Sequence, residues 1–135
     1  MMTDKQPFIA ETSFHVRYAE TDAQQIVHHA AYIVYFEAGR SAYLRQQGTS
    51  YAEFERSGFF LAVTGVEANY KQASRYDELL TVRCWIEKAR SRGMTFAYEI
   101  FHADSGELRV TGKTKHICLN REGEIARIPE AWQQW

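Results

Sequence analysis

The sequence predicts an α+β fold in which one long helix packs on an antiparallel sheet of about five strands. Three observations support this fold class. A segment of alternating apolar residues comes first, and a nearly continuous apolar run of helical length follows it. Four segments rich in β-branched and aromatic residues, separated by short turn-like links, complete the chain. One face of such a sheet can bury the helix, which gives two layers around one hydrophobic core.

The size and charge of the chain indicate a single domain that neither binds nucleic acid nor spans a membrane. The chain has 135 residues, 45% of them hydrophobic, and no repeat or flexible linker divides it, so we expect a single domain over residues 1–135. The formal net charge of −1 provides no general positive field for nucleic acid. No stretch reaches the ~20 apolar residues of a membrane span, and the first residues, MMTDKQPF, contain no signal-peptide core. We therefore expect a cytoplasmic protein with no membrane span and no nucleic-acid partner.

The first elements are a short strand, a long helix and a short helix. Apolar and polar residues alternate over residues 13–18, which predicts the first strand. An apolar run then begins at Ala30 and continues for about five turns, which is typical of a helix that the fold wraps on nearly every side. Gly48 is positioned to end this helix in a left-handed conformation. Ser50 is positioned to cap a second helix over residues 51–56.

Four more strands are predicted in the second half of the chain. They comprise Phe60–Lys71, Leu79–Ala89, Met94–Ala103 and Leu108–Leu119. Their links are short and turn-like, so we expect consecutive strands to be antiparallel neighbours. In the second of them apolar residues alternate with polar ones, as one buried and one outward face requires, and Trp85 stands on the polar side. A large aromatic residue there favours a surface that contacts a partner.

Most of the chemical information lies in the segment Tyr18–Tyr32, which reads YAETDAQQIVHHAAY. It leads from the first strand through Asp22 and a short turn to His28, His29 and the long helix. The first turn of a helix offers unpaired N–H groups and a partial positive charge of about half a unit, which stabilise an oxyanion. A carboxylate opposite these groups can attack a polarised carbonyl carbon or activate water. The segment therefore indicates acyl-transfer chemistry.

This segment resembles the 4-hydroxybenzoyl-CoA thioesterase family of the hot-dog superfamily, which includes the Tol-Pal-associated acyl-CoA thioesterases. Members carry an aromatic residue, an acidic residue, Thr or Cys and then Asp, followed by a short turn, a hydrophobic pair and a His/Tyr-rich step into a helix. The matching residues are Tyr18, Glu20, Thr21, Asp22, Ile26, Val27, His28, His29 and Tyr32. The resemblance implies a hot-dog fold, in which a five- or six-stranded antiparallel sheet wraps a long central helix, and it implies hydrolysis of an acyl-CoA thioester.

The resemblance also implies roles for individual residues. Asp22 matches the catalytic carboxylate, as nucleophile or general base. His29 matches the position whose backbone amide faces the thioester carbonyl, and a part for its ring is left open. The residues expected to bind substrate are two aromatics of the motif and three cations in the links that suit the phosphates of CoA: Tyr18, Tyr32, Arg75, Arg90 and Arg92.

Three positions depart from the family's pattern. The usual glycine of the turn is Gln25, the usual asparagine before Tyr32 is Ala31, and the usual proline of a later loop is Gln72. Because Gln25 replaces the glycine, we expect no positive φ angle at this position. The motif leaves the acyl group open, and the aromatic residues expected to line the pocket that selects it are Tyr32, Phe36, Phe59, Phe60 and Tyr70.

The same residues also suit purely structural roles. Aspartate often caps a turn, so Asp22 also suits a purely structural role. Glu20 is expected to be a solvated or helix-paired carboxylate. Adjacent residues of an extended segment point to opposite sides, so His28 and His29 are not expected to form a metal site. The two cysteines lack metal-type spacing and are expected in the core, and neither metal nor cofactor is predicted.

Two other functions on the same fold are the alternatives to hydrolysis. One is a non-catalytic acyl-CoA-binding protein, because a fold does not by itself specify a function. The other, with less support, is a 3-hydroxyacyl-thioester dehydratase, but such enzymes resemble a pattern in which a catalytic His precedes its acidic partner. Since the active site of hot-dog relatives lies between two subunits, we expect a homodimer, or a tetramer of two dimers.

Overall fold

The computed structural model describes residues 8–133. Its elements are strand β1 (Ala10–His15), helix α1 (Ala31–Gln46), helix α2 (Tyr51–Arg56) and strands β2 (Phe60–Tyr70), β3 (Leu79–Ala89), β4 (Gly93–His102) and β5 (Leu108–Leu119). Single turns of 3-10 helix stand at Tyr18–Glu20 and Glu130–Trp132. The ends of the predicted domain, residues 1–7 and 134–135, lie outside the described range. Within that range no helix is both long and apolar enough to cross a membrane.

The five strands form one antiparallel sheet in the order β1-β3-β4-β5-β2, and α1 packs on one of its faces. The predicted α+β class and the hot-dog arrangement are confirmed. The boundaries of β2 to β5 agree with the sequence to within one residue. The core lies between α1 and the helix-facing side chains of the sheet, which include Leu80, Val82, Phe96, Tyr98 and Ile100.

Two expectations about the strands are wrong. β2 and β3 are consecutive but not adjacent, because the link over residues 71–78 carries the chain from one edge of the sheet to the side of β1. The first strand ends at His15, because Arg17 and Glu20 bond to each other through both backbone and side chain and begin a 3-10 turn. Tyr18 is therefore 77% exposed instead of inward-facing.

The end of α1 agrees with the sequence. Gly48 has a φ of 87°, in the left-handed region that glycine tolerates. Its N–H donates to the carbonyl of Arg45 at 3.0 Å, and the N–H of Thr49 donates to the carbonyl of Leu44 at 3.0 Å. This pair of bonds is a Schellman motif. The hydroxyl of Ser50 then caps α2, as its position predicts.

Helix α1 approaches the sheet closely on one side only. The ring of Phe36 stacks on Tyr98 with centroids 4.4 Å apart, and it occupies the space that a Cβ at Gly112 would need. On the other side of the helix, Ile33 and Val34 are 43% and 54% exposed. The expectation of a helix wrapped on nearly every side is therefore wrong for a single chain, because the sheet covers one face.

A chain of polar side chains runs through the core. Arg40 donates to the hydroxyl of Tyr98 at 3.1 Å, and the hydroxyl of Thr114 lies within hydrogen-bond distance of both Tyr98 and Nε2 of His116. His116 is only 3% exposed. Burial lowers the pKa of His116 to about 4, and the nearby Arg40 charge acts in the same direction.

Candidate functional site

A cavity of about 350 Å³ opens where the beginning of α1 meets the end of β2. Three segments form its wall: the turn before α1, the first residues of the helix, and the link that follows β2. The residues that line it are Asp22, Gln24, Ile26, Val27, His29, Tyr32, Tyr70, Lys71, Gln72 and Ala73. The cavity therefore brings the carboxylate of the motif to the same wall as the helix start.

The turn that carries Asp22 is a small hairpin. Thr21 and Val27 form an antiparallel bridge, and the N–H of Asp22 donates to the carbonyl of Ile26 at 2.9 Å. Gln25 donates to the carbonyl of Asp22 at 2.8 Å and has a φ of 65°. The expectation that this position does not need a positive φ is wrong. The hairpin is tight enough to require a left-handed residue, and a side chain stands there at a conformational cost.

One carboxylate oxygen of Asp22 is used within the turn. Oδ1 accepts the N–H of Gln24 at 2.8 Å, which is the structural role that aspartate plays in many turns. Oδ2 accepts no hydrogen bond from any residue in the range 8–133. The structural role is therefore compatible with a chemical one, because the turn fixes the carboxylate and leaves its second oxygen available.

Most amides at the start of α1 already have acceptors. The N–H of Ala30 donates to Nδ1 of His28 at 3.2 Å, and the N–H of Ala31 donates to the carbonyl of His28 at 2.9 Å. Ile33 donates to the carbonyl of Ala30 at 3.2 Å. The N–H of His29 donates to no described residue. Of the amides from His29 to Ala31, the His29 N–H is therefore the one left free for an oxyanion.

The two histidine rings lie on the same side of the chain. Their centroids are 4.3 Å apart and the planes are tilted by 32°. The expectation that His28 and His29 point to opposite sides is wrong, because residues 28–30 lead into a helical turn and are not extended. Among the described residues no group of three or more His, Cys, Asp or Glu side chains is arranged to hold a metal ion.

Glu20 is paired with the helix, as expected. Its carboxylate accepts the hydroxyl of Tyr35 at 2.9 Å, together with the backbone N–H and the guanidinium of Arg17 at 2.8 and 2.9 Å. Burial alone would raise the pKa of Glu20, but these hydrogen bonds outweigh it and hold the pKa below its usual value. Glu20 therefore fixes the approach to the Asp22 hairpin through these bonds.

Arg109 holds the cavity wall formed by the link over residues 71–78. Its Nη1 donates to the hydroxyl of Ser74 at 3.0 Å and to Oε1 of Glu78 at 3.1 Å. The carbonyl of Ser74 accepts the N–H of Val27 at 2.8 Å, which ties the link to the Asp22 hairpin. Sequence reasoning missed Arg109 because it follows the polar alternation of β5. Nothing in that alternation signals that a loop folds over it.

The predicted substrate-binding residues do not all meet at this cavity. Tyr32 lies in its wall, whereas Tyr18 is exposed beyond it. Arg75 is an exposed residue of the link after β2. Arg90 and Arg92 line a separate basic groove of about 610 Å³ at the β3–β4 turn.

The aromatic residues expected to select the acyl group are also divided. The rings of Tyr32 and Tyr70 both line the cavity, with centroids 5.4 Å apart. Phe36 is fully buried in the core, and Phe59 packs on Phe54 of α2. Phe60 begins β2 at the end opposite Tyr70, so it lies away from the cavity of its own chain. Within one chain, two tyrosines of the expected set line the cavity.

Comparison with protein families shows to which superfamily a chain with this fold and cavity belongs. The model of the Thioesterase-like superfamily matches residues 16–135, a range that contains the Asp22 hairpin, α1 and the whole link after β2. The chain belongs to the Thioesterase-like superfamily. The predicted membership in the hot-dog thioesterases, the hot-dog fold and the assignment as a thioester-hydrolysing enzyme are confirmed by this match and by the relatives that follow.

Relatives of this superfamily member match over most of their length. The DHNA-CoA thioesterase of Staphylococcus aureus superposes with a TM-score of 0.88 at 34% identity, over 94% of this chain and 85% of that one. YneP of Bacillus subtilis, provisionally named an acyl-CoA thioesterase, is 34% identical over 94% of this chain and 92% of its own. The acyl-CoA thioesterase YbgC of Haemophilus influenzae is 34% identical over 84% of this chain and 86% of its own.

Proposed function

We propose that this protein hydrolyses an acyl-CoA thioester to a carboxylic acid and free CoA in the cavity that carries Asp22 and His29. One observation carries the proposal. A carboxylate with an available oxygen and a helix-start amide without an acceptor belong to residues on the same cavity wall. The names of the relatives from B. subtilis and H. influenzae support the same reaction.

In this reaction the thioester oxygen accepts the His29 N–H, which stabilises the negative charge that develops on that oxygen. Asp22 acts in one of two ways. As a general base it takes a proton from the water that adds to the carbonyl carbon, and as a nucleophile it adds to that carbon itself and water then hydrolyses the anhydride. Both routes break the C–S bond, release the CoA thiolate, which takes up a proton, and give the acid one oxygen from water.

The cavity favours a compact, aromatic acyl group over a long chain. Two tyrosine rings, Tyr32 and Tyr70, and two aliphatic side chains, Ile26 and Val27, supply its apolar wall. Aromatic rings prefer offset-stacked or edge-on contacts with other rings. The ring of an aromatic acyl group could make such contacts with Tyr32 and Tyr70. The relative from S. aureus is named for DHNA-CoA, which supports the same class of substrate.

A homodimer is part of the proposal, and a second copy of this chain is the partner that the exposed edge fits. Among the described strands β2 pairs only with β5, so its outer edge is open. Apolar residues on its helix-facing side, Val63 and Val66, are 48% and 43% exposed, and Ile33 and Val34 of α1 are exposed apolar residues as well. An open apolar edge strand is a template for pairing. Two-fold pairing of β2 with β2 covers both surfaces in a closed assembly.

Such pairing also explains how distant cations serve the same substrate. Within one chain, Arg92 is bonded at Cys118 while Tyr70 of the cavity pairs with Val110, so the two are about 26 Å apart, counted as eight residues of β5 at ~3.3 Å each. In an antiparallel β2 pair, the Tyr70 end of one strand meets the other strand's opposite end. There Leu61 pairs with Cys118, whose N–H donates to the carbonyl of Arg92 at 2.8 Å. Arg92 of the partner subunit then borders the cavity and suits a CoA phosphate.

A second contact would join two dimers through the outer face of the sheet. Trp85 lies on that face, partly buried, beside Glu87 and Lys113, which form an ion pair at 3.0 Å. A large aromatic residue framed by charged side chains is typical of an interface. The tetramer is therefore proposed through this face, as the position of Trp85 in the sequence predicts.

The cysteines support a cytoplasmic location for this enzyme. Cys84 and Cys118 are both free and buried in the core. Burial raises the pKa of the Cys84 thiol to about 12, so it stays protonated and unreactive. Free thiols of this kind are usual in a reducing compartment.

The test is thiol release from a panel of aromatic, short-chain and long-chain acyl-CoAs, with static light scattering on the same sample at micromolar concentration. We expect free CoA to appear fastest with the aromatic esters and the mass to be that of a dimer or a tetramer. Saturable binding of acyl-CoA without release of thiol would instead establish the non-catalytic alternative. A stable monomer would contradict the assembly.

A further inference from the structure

The peptide that joins His29 to Ala30 is bonded at both of its ends. The hydroxyl of Tyr70, at the end of β2, donates to its carbonyl oxygen at 3.0 Å. The N–H of the same peptide belongs to Ala30 and donates to Nδ1 of His28 at 3.2 Å. Neither side chain is needed for the chemistry of the proposed hydrolysis. A planar peptide held at both oxygen and hydrogen cannot turn without breaking one of these bonds.

The preceding peptide is held as well. It contains the carbonyl of His28 and the N–H of His29, and its carbonyl accepts the N–H of Ala31 at 2.9 Å. The N–H of His28 in turn donates to the carbonyl of Glu20 at 2.8 Å, which anchors the segment to the 3-10 turn. Both peptides that flank His29 are therefore fixed, and of the four amides from His28 to Ala31 only the His29 N–H has no acceptor among the described residues.

We propose that Tyr70 and His28 are positioning residues that hold the His29–Ala30 peptide from its two ends and so aim the His29 amide at the thioester carbonyl. This inference rests on the function proposed above. The dihedral angles of His29 are the only soft torsions between the two flanking peptides, so a rotation of one peptide moves the donor on the other. An oxyanion donor must stand at hydrogen-bond distance before the reaction, because the catalytic gain comes from preorganisation.

We call the Tyr70 and His28 hydrogen bonds to the His29–Ala30 peptide the clamp. Mutation can remove either bond separately. Tyr70 is 50% exposed, and its ring packs on Tyr32 at 5.4 Å, so Tyr70→Phe removes the hydroxyl and keeps the ring in the cavity wall. His28 contributes an acceptor nitrogen two residues before the amide that it binds. The side-chain carbonyl of Asn accepts from the same position in an Asx turn, whereas Ala offers no acceptor.

Steady-state kinetics test the proposal through the separation of kcat from KM. We expect Tyr70→Phe to lower kcat about five- to tenfold with KM changed less than about twofold, as the loss of one hydrogen bond in the transition state implies. His28→Ala should cause a similar loss, and His28→Asn should restore kcat to within about twofold of wild type. Tyr76→Phe is the matched control, since Tyr76 is 57% exposed and packs on Tyr18 outside the cavity.

Amide hydrogen exchange tests the clamp without reference to activity. In the wild-type protein the Ala30 amide should be protected and the His29 amide should exchange freely. Tyr70→Phe and His28→Ala should each speed exchange at Ala30 about fivefold or more, with no change in α2. Unchanged exchange in both variants, wild-type kcat in Tyr70→Phe, or a kcat of His28→Asn as low as that of His28→Ala would overturn the proposal. If the wild-type protein released no thiol from any acyl-CoA, the proposed function would fail while exchange still tested the clamp.

Discussion

Acidification from pH 7 to pH 4.5 should destabilise the protein through one buried imidazole, that of His116. Its ring packs edge-on against Phe96 at 5.4 Å, and its Nε2 lies 2.8 Å from the Thr114 hydroxyl. Burial and the charge of Arg40 lower the pKa of His116 from its ordinary 6.5 to about 4. The folded protein therefore holds this ring neutral over a pH range in which the unfolded chain protonates it.

The sign and size of the effect follow from this shift. Between pH 4 and 6.5 the unfolded state binds more protons, so the stabilising contribution is fully present above about pH 6.5 and is lost as the pH falls. At about 1.4 kcal/mol per pKa unit, a pKa lowered to about 4 corresponds to about 3 kcal/mol, most of it lost by pH 4.5. Hydrogen bonds lower the pKa values of Glu20 and Glu78 from the ordinary 4.5, so their contributions begin to be lost near pH 4.5 and are mostly lost below it.

Urea unfolding at pH 7 and pH 4.5 measures this contribution directly. The free energy of unfolding of the wild-type protein should fall by about 2–3 kcal/mol between the two pH values. His116→Gln, which cannot titrate, should lose much less, even if it is less stable at pH 7. His15→Gln, at an exposed position of β1, is the control and should behave as wild type. Equal losses in wild type and His116→Gln would refute the assignment.

Two further substitutions test the backbone of the site and the packing beneath it. Gln25→Gly should raise the free energy of unfolding by about 1 kcal/mol, because it relieves a side chain at a φ of 65°. Gln24→Gly, at the neighbouring position, is the control. A lower free energy of unfolding in Gln25→Gly than in the wild-type protein would contradict the expectation. Gly112→Ala should lower the free energy of unfolding by about 1–3 kcal/mol or more, because the new methyl group meets the Phe36 ring. A melting temperature unchanged by Gly112→Ala would show that the helix is not seated on the sheet as described.

Much of the fold could be predicted because local patterns determine it. The alternation in β3 and the β-branched composition of β5 place their boundaries, and Gly48 marks the end of α1 because its left-handed conformation favours glycine. The neighbour of β2 could not be predicted, since the length of the link after it permits either edge of the sheet. The exposure of Ile33 could not be predicted either, because the composition of α1 indicates an apolar surface without indicating what covers it.

The candidate site was predictable where a motif specifies it and not where tertiary contacts do. Asp22, His29 and Tyr32 all line one cavity, as their places in one motif suggest. The positive φ of Gln25 was missed because the identity of a residue does not reveal the conformation that a tight hairpin imposes. Arg109 was missed because its partners stand in a loop more than thirty residues earlier in the chain.

The turnover number of Asp22→Asn tests the central claim most directly. The amide oxygen of Asn can still accept the N–H of Gln24, so the hairpin should remain folded while the carboxylate charge is lost. Asp104→Asn, in the exposed β4–β5 turn, is the matched control. We expect Asp22→Asn to release thiol at least about a hundredfold more slowly than wild type, with an unchanged melting temperature. Release at the wild-type rate across the acyl-CoA panel would contradict the claim that Asp22 carries the chemistry.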